Sequence, residues 1–86
     1  MIARLTLAAV LLCAAAPPPG ASSCSGCHGP AAQLPVLAGR PVADTVAAMD
    51  AFRAGTRPAT VMDRIAKGFT PAETQAIAAW WAEATP

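Results

Sequence analysis

At 86 residues the chain is at most one domain, and six Lys and Arg against five Asp and Glu give it a formal net charge of +1. So even a balance argues against a nucleic-acid surface or a polybasic membrane contact. Apart from Arg4, the cations Arg40, Arg53, Arg57, Arg64 and Lys67 are matched by Asp44, Asp50, Asp63, Glu73 and Glu83, so the rest of the polypeptide is neutral.

Residues 1–4 carry one positive charge, and residues 5–16 are apolar apart from one threonine. This is the pattern of a secretory signal peptide, too short for a membrane span and followed by prolines and small residues. Its cleavage falls between residues 16 and 21. The run Ala14-Ala15-Ala16 has suitable small side chains but is followed by Pro17, whereas a cut after Ala21 leaves Pro19 inside the pattern. With the second cut the chain divides into a signal peptide, 1–21, and a mature domain, 22–86, exported to the periplasm with no stable membrane span. Cys13 follows Val10-Leu11-Leu12, and the bulk of Leu12 argues against a lipoprotein cysteine. A mature chain this short buries little apolar core and needs a staple such as a metal, disulfides or a cofactor. Residues 17–23, all proline, glycine, alanine and serine, read as a linker, with Ser22 or Ser23 capping the turn that follows.

That turn carries Cys24-Ser25-Gly26-Cys27-His28, the C-x-x-C-H spacing of covalent haem attachment. Two thiols must each add to a porphyrin vinyl group while the imidazole reaches the iron of the same ring. Residues three and four apart share a helical face, so one turn presents Cys24, Cys27 and His28 together. Ser25 and Gly26 are small enough to leave the porphyrin edge unobstructed. Two other uses of the cysteines stay open at this point. A thioredoxin-like pair needs a βαβ context, and no strand-like alternation is present. A structural zinc site needs four ligands, and a carboxylate would have to join these three. With haem, both mature thiols are consumed and no disulfide is expected in the oxidising compartment.

Residues 29–41 hold three prolines and two glycines and read as a loop beneath one face of the haem, where a backbone carbonyl would orient the histidine. A helix follows: Val42, Val46, Met49, Phe52 and Arg53 recur at helical spacing, Asp44 suits the first turn, and Gly55 suits a left-handed stop. After a connector with Pro58, a second helix is expected over about 60–67, with Met62, Ile65, Ala66 and Phe69 on one side and Gly68 as its stop. The third has the clearest start, Thr70-Pro71-Ala72-Glu73, a capping box with proline at the first helical position. It should reach about residue 84 and bury Ile77, Trp80 and Trp81, with Ala76, Ala78, Ala79 and Ala82 allowing close approach.

His28 is the only histidine, which excludes bis-histidine ligation. The sixth position falls to Met49, Met62, Lys67, water or nothing. Met49 sits on an apolar helix stripe, where a flexible core filler explains it. Met62 leaves a connector at a helix start, which suits aiming its thioether across the haem, although it also shares a stripe with Ile65 and Phe69.

The chain resembles a class I cytochrome c. The likeness rests on C-x-x-C-H-G from Cys24 to Gly29, Pro-x-Leu-Ala-Gly from Pro35 to Gly39, and Phe52-Arg53-x-Gly55-x-Arg57 leading to a methionine. More narrowly, the run from Ala59 through Met62 and Phe69 to the last helix resembles the cytochrome subunit of flavocytochrome c sulfide dehydrogenase. The resemblance implies an all-α fold around one covalent haem c, with Met62 as the second axial ligand to iron beside His28 and the Pro35 carbonyl orienting His28. It departs from the family in having almost nothing before Cys24 to form the usual first helix. Trp80 and Trp81, or a partner, would then cover the surface such a helix covers.

With His28 and Met62 both bound, iron has no open position, and the chemistry is one-electron transfer. No dinucleotide fingerprint is present, so any flavin belongs to another polypeptide. The expected role is that of a periplasmic cytochrome without a substrate site of its own, accepting electrons as a subunit of a sulfide-oxidising flavoprotein. A free carrier between respiratory complexes, or a small-gas binder with an open sixth position, are the alternatives. Arg53, Arg57, Arg64 and Lys67 would guide docking, pair with propionates or be solvated surface.

Overall fold

A computed structural model describes residues 16–31 and 33–85. The expected leader up to residue 15, with Cys13, lies outside them. The described residues form the all-α, cytochrome c-like arrangement expected: a 3-10 turn, Ser22–Cys24, runs into α1, Ser25–His28, followed by α2, Val42–Ala54, α3, Met62–Lys67, and α4, Pro71–Glu83. No strand occurs among them, and no described helix is long and apolar enough to cross a membrane.

Each helix boundary has a local cause. Pro41 precedes α2, and its carbonyl accepts from Asp44 N (3.1 Å) and Thr45 N (3.3 Å). Gly55, at φ 74°, ends α2: its N–H donates to Phe52 O (3.2 Å) and Thr56 N–H to Ala51 O (3.0 Å), the paired bonds of a Schellman stop. A side chain at φ near +74° would be strained, which accounts for glycine here. The capping box of α4 is present in full, with Glu73 N donating to Thr70 Oγ1 (3.1 Å) and Thr70 N to Glu73 Oε1 (2.9 Å).

Three details differ from expectation. α3 starts at Met62 rather than near residue 60, because no side chain caps it and the first turn closes on the carbonyl of Val61, which accepts from Arg64 N and Ile65 N. Ser22 and Ser23 cap nothing. Instead Ser23 Oγ donates back to Gly20 O and Ser25 Oγ to Ser22 O, each at 2.6 Å. Along α4 the buried stripe is Thr74, Ile77, Ala78 and Trp81, the i, i+3, i+4, i+7 spacing of one helix face. Trp80 stands beside that stripe and is half-buried, while Ala76 and Ala79 are exposed.

The packed core is small. Ala21, Ile77 and Trp81 form it, with Cys24, Leu37, Ala38, Phe69, Trp80 and Ala84 against them. α2 packs on both α3 and α4. The loop before α2 is tied to the far end of α4, where Gly39 N donates to Trp81 O at 3.0 Å. Arg53 binds the helices to one another, donating from Nη2 to Phe69 O (2.7 Å) and Thr74 Oγ1 (3.0 Å), and from Nε to Ala66 O (3.4 Å). Its other flank lies 3.5 Å from Asp50. It is a brace between α2, α3 and α4, not the docking or solvated cation expected. Arg64 and Lys67 are exposed.

Candidate functional site

The 3-10 turn, ending at Cys24, and α1 after it place Cys24, Cys27 and His28 on the wall of one cavity of about 450 Å³. Facing segments complete the wall: Leu34, Pro35 and Leu37 from the loop, Met49 and Phe52 from α2, and Met62 and Ile65 from α3. Large apolar side chains around it are only partly covered by protein, with Leu34 51%, Val61 49% and Ile65 41% exposed. Apolar area of this kind normally packs against something, and its concentration on one wall marks a ligand-shaped surface.

His28 is oriented by its loop. Its Nδ1–H donates to the carbonyl of Pro35 at 2.8 Å. A carbonyl only accepts, so this contact puts the proton on Nδ1 and leaves Nε2 as the free electron-pair donor. Both methionines named from sequence, Met49 and Met62, line the same cavity, one from the middle of α2 and the other from the first position of α3.

The cysteine environments weigh against a redox pair. Burial pushes the Cys24 thiol up from its ordinary value, and the Trp81 indole N–H and Cys24's own backbone only partly oppose this. A thiol-exchange nucleophile requires the opposite shift. Zinc lacks its donor set too, since among the described residues no group of three or more His, Cys, Asp or Glu is arranged to hold a metal ion. No carboxylate lines the cavity among the described residues, so it holds no carboxylate pair for acid–base work.

A haem fits this wall. Thiols and imidazole come from one turn, the lining is largely apolar, and two cations, Arg40 and Arg57, reach it for propionate charge. The guanidinium of Arg57 stacks over the Phe52 ring, 4.8 Å from its centroid. Thr45 also lines the cavity; it is buried, and its hydroxyl has no protein partner among the described residues. Buried hydroxyls are normally paired, so this one is available to a polar group of a bound molecule. Sequence reasoning passed over Arg40 and Thr45. The α2 stripe itself could have found Thr45, which lies between Val42 and Val46 at the same helical spacing.

No protein-family model matches the chain. The chain is similar to a protein named thiosulfate dehydrogenase electron acceptor from Thiomonas intermedia (strain K12). The two are 37% identical over 78 residues, a match that takes in 84% of this chain and 36% of the relative. The chain thus spans about a third of the length of the relative it matches.

Proposed function

We propose that this chain is a periplasmic c-type cytochrome, exported by its leader, that accepts single electrons from a dehydrogenase oxidising a reduced inorganic sulfur compound. What carries the reading is one arrangement. Cys24, Cys27 and His28 from a single turn, with the His28 ring held by Pro35, share an apolar cavity with two methionines. In it Cys24 and Cys27 would hold one haem c through thioethers, and His28 Nε2 and Met62 would be the protein donors to its iron.

When bound, the haem supplies the one-electron couple. The polypeptide does the rest. Pro35 keeps the proton on His28 Nδ1 and strengthens the ring as a donor. Leu34, Val61 and Ile65 limit water at the cavity, which favours the less charged state of the centre, while Arg40 and Arg57 are placed for carboxylate charge. Met62 is favoured over Met49 because it begins a helix at the end of a connector, whereas Met49 is fixed in the middle of α2. Two thioethers on the wall also weigh against the gas-binding alternative, which needs an open iron face.

The relative's name points to thiosulfate oxidation as the source of electrons, where the resemblance to flavocytochrome subunits points to sulfide. Both are oxidations of inorganic sulfur by a separate dehydrogenase. Rapid mixing of the oxidised, haem-loaded protein with a thiosulfate dehydrogenase or with a sulfide-oxidising flavoprotein, each with its substrate, tests the proposal. Reduction within enzyme turnover by the first is expected. Reduction only by the second restores the sulfide reading, and reduction by neither overturns the function. A stable complex on size exclusion identifies a subunit, and its absence a free carrier.

A further inference from the structure

The segment just before the cysteine turn is built into the fold. Ala21 is fully buried, at 0% exposure, against Ile77 and Trp81. Its carbonyl accepts from the indole Nε1–H of Trp81 at 3.2 Å and from Cys24 N at 3.3 Å, and its own N–H donates to Pro18 O at 3.0 Å. The Gly20 carbonyl accepts from Ser23 Oγ at 2.6 Å and from Cys24 Sγ at 3.5 Å. Gly20 itself stands at φ +87°, and a Cβ there would lie 2.5 Å from the Phe69 ring and 3.6 Å from Ile77 Cδ1. Only a glycine fits a segment seated this closely.

We infer that residues 18–21 are a structural clasp of the mature domain, joining the cysteine turn to α4, and that export processing cuts N-terminal to Pro18. The location of the cut rests on the export reading above; the clasp does not. A cut after Ala21 would remove the carbonyl that accepts from the buried Trp81 indole N–H, a group that can only donate. It would uncover Ile77, Phe69 and Trp81 and place a charged α-amino group two residues from Cys24. The small-residue run 14–16 offers the alternative, leaving the clasp in place.

Two haem-loaded proteins test this, exported behind a foreign leader and starting at Ala16 or at Ser22. The Ser22 start is expected to melt roughly 10 °C lower. In the Ala16 start, Trp81→Phe is expected to lower Tm by about 5 °C, and in the Ser22 start by clearly less, because the acceptor is already gone and only the packing loss remains. If the Ser22 start yields no haem protein, Gly20→Ala in the Ala16 start takes its place, and a lowered Tm is expected. Equal melting of the two starts, an equal Trp81→Phe effect in both, or an indifferent Gly20→Ala overturns the clasp. The intact mass of protein processed from its own leader tests the cut: a first residue at or before Pro18 is expected, and one at Ser22 overturns it. A mass starting at Met1 overturns the export reading and the cut with it, while the melting comparison still decides the clasp.

Discussion

The two sides of this small domain are built on different terms. On the α4 side the polypeptide satisfies itself: Ala21, Ile77 and Trp81 are buried together, Thr74 accepts from Arg53, and the Trp81 indole has its carbonyl. On the cavity side, Leu34, Val61 and Ile65 are large and half exposed, and the buried hydroxyl of Thr45 has no partner among the described residues. The contrast teaches where the stability of so short a chain comes from. One side is a conventional, if small, hydrophobic core, and on the proposed function the other would be completed by a bound apolar plate.

The largest test removes that plate. Cys24→Ala with Cys27→Ala prevents covalent attachment, and the haem-free protein should lose the cavity side first. Hydrogen exchange should show the amides of α3 unprotected, with those of α4 the last to open. Equal loss in both helices would mean that the two sides do not differ as described.

Next is the brace. Arg53→Met keeps the aliphatic stem but leaves the Phe69 carbonyl and Thr74 Oγ1 without their charged donor. A loss of about 2 kcal/mol is expected, which thermal melting would register as a fall in Tm of roughly 10 °C. A change within 1 °C would return Arg53 to the solvated surface.

The two buried threonines give a sharper comparison at smaller amplitude. Thr74→Val removes a partnered hydroxyl and should cost about 1 kcal/mol. Thr45→Val removes an unpartnered one, and in the haem-free protein should cost nothing or stabilise slightly. Denaturant titration of both variants decides this, and equal costs would erase the distinction between the sides.

The smallest effect is at the start of α4. The Thr70 backbone N–H, and after it the Thr70 hydroxyl, hold the Glu73 carboxyl below its ordinary value of 4.5. A carboxylate depressed in the folded state stabilises it above the unfolded value, and the contribution fades as pH falls from about 4.5 through the folded value. Glu73→Gln should therefore melt slightly below wild type at neutral pH, and the two should converge as pH falls through that window, the variant being the less acid-sensitive. Parallel melting curves across the window would contradict the capping role.

How much of this was legible depended on how local each determinant is. The α4 cap lies within four residues, and the Gly55 stop at the end of one helix, so both could be read directly. α3 began later than expected because its start depends on the backbone of Val61, with no capping side chain to announce it. The Trp81 bond to Ala21 spans 60 residues, and the Arg53 bonds to Phe69 and Thr74 span 16 and 21; no pattern in the chain declares such contacts. At the candidate site, the cysteine turn announced itself by spacing, and the nearness of Pro35 to His28 was implied by family resemblance. Arg40 and Thr45 emerged only when the loop and α2 were seen to share a cavity wall.

The most direct measurement is the visible spectrum of the haem-loaded protein, oxidised and reduced, for wild type, Met62→Ala and Met49→Ala. A low-spin spectrum is predicted, with a weak band at the red end of the oxidised form that is lost in Met62→Ala and kept in Met49→Ala. Loss in Met49→Ala alone would move the ligand to α2. A wild-type spectrum that is already high-spin and altered by carbon monoxide would contradict closed ligation and the electron-transfer role built on it.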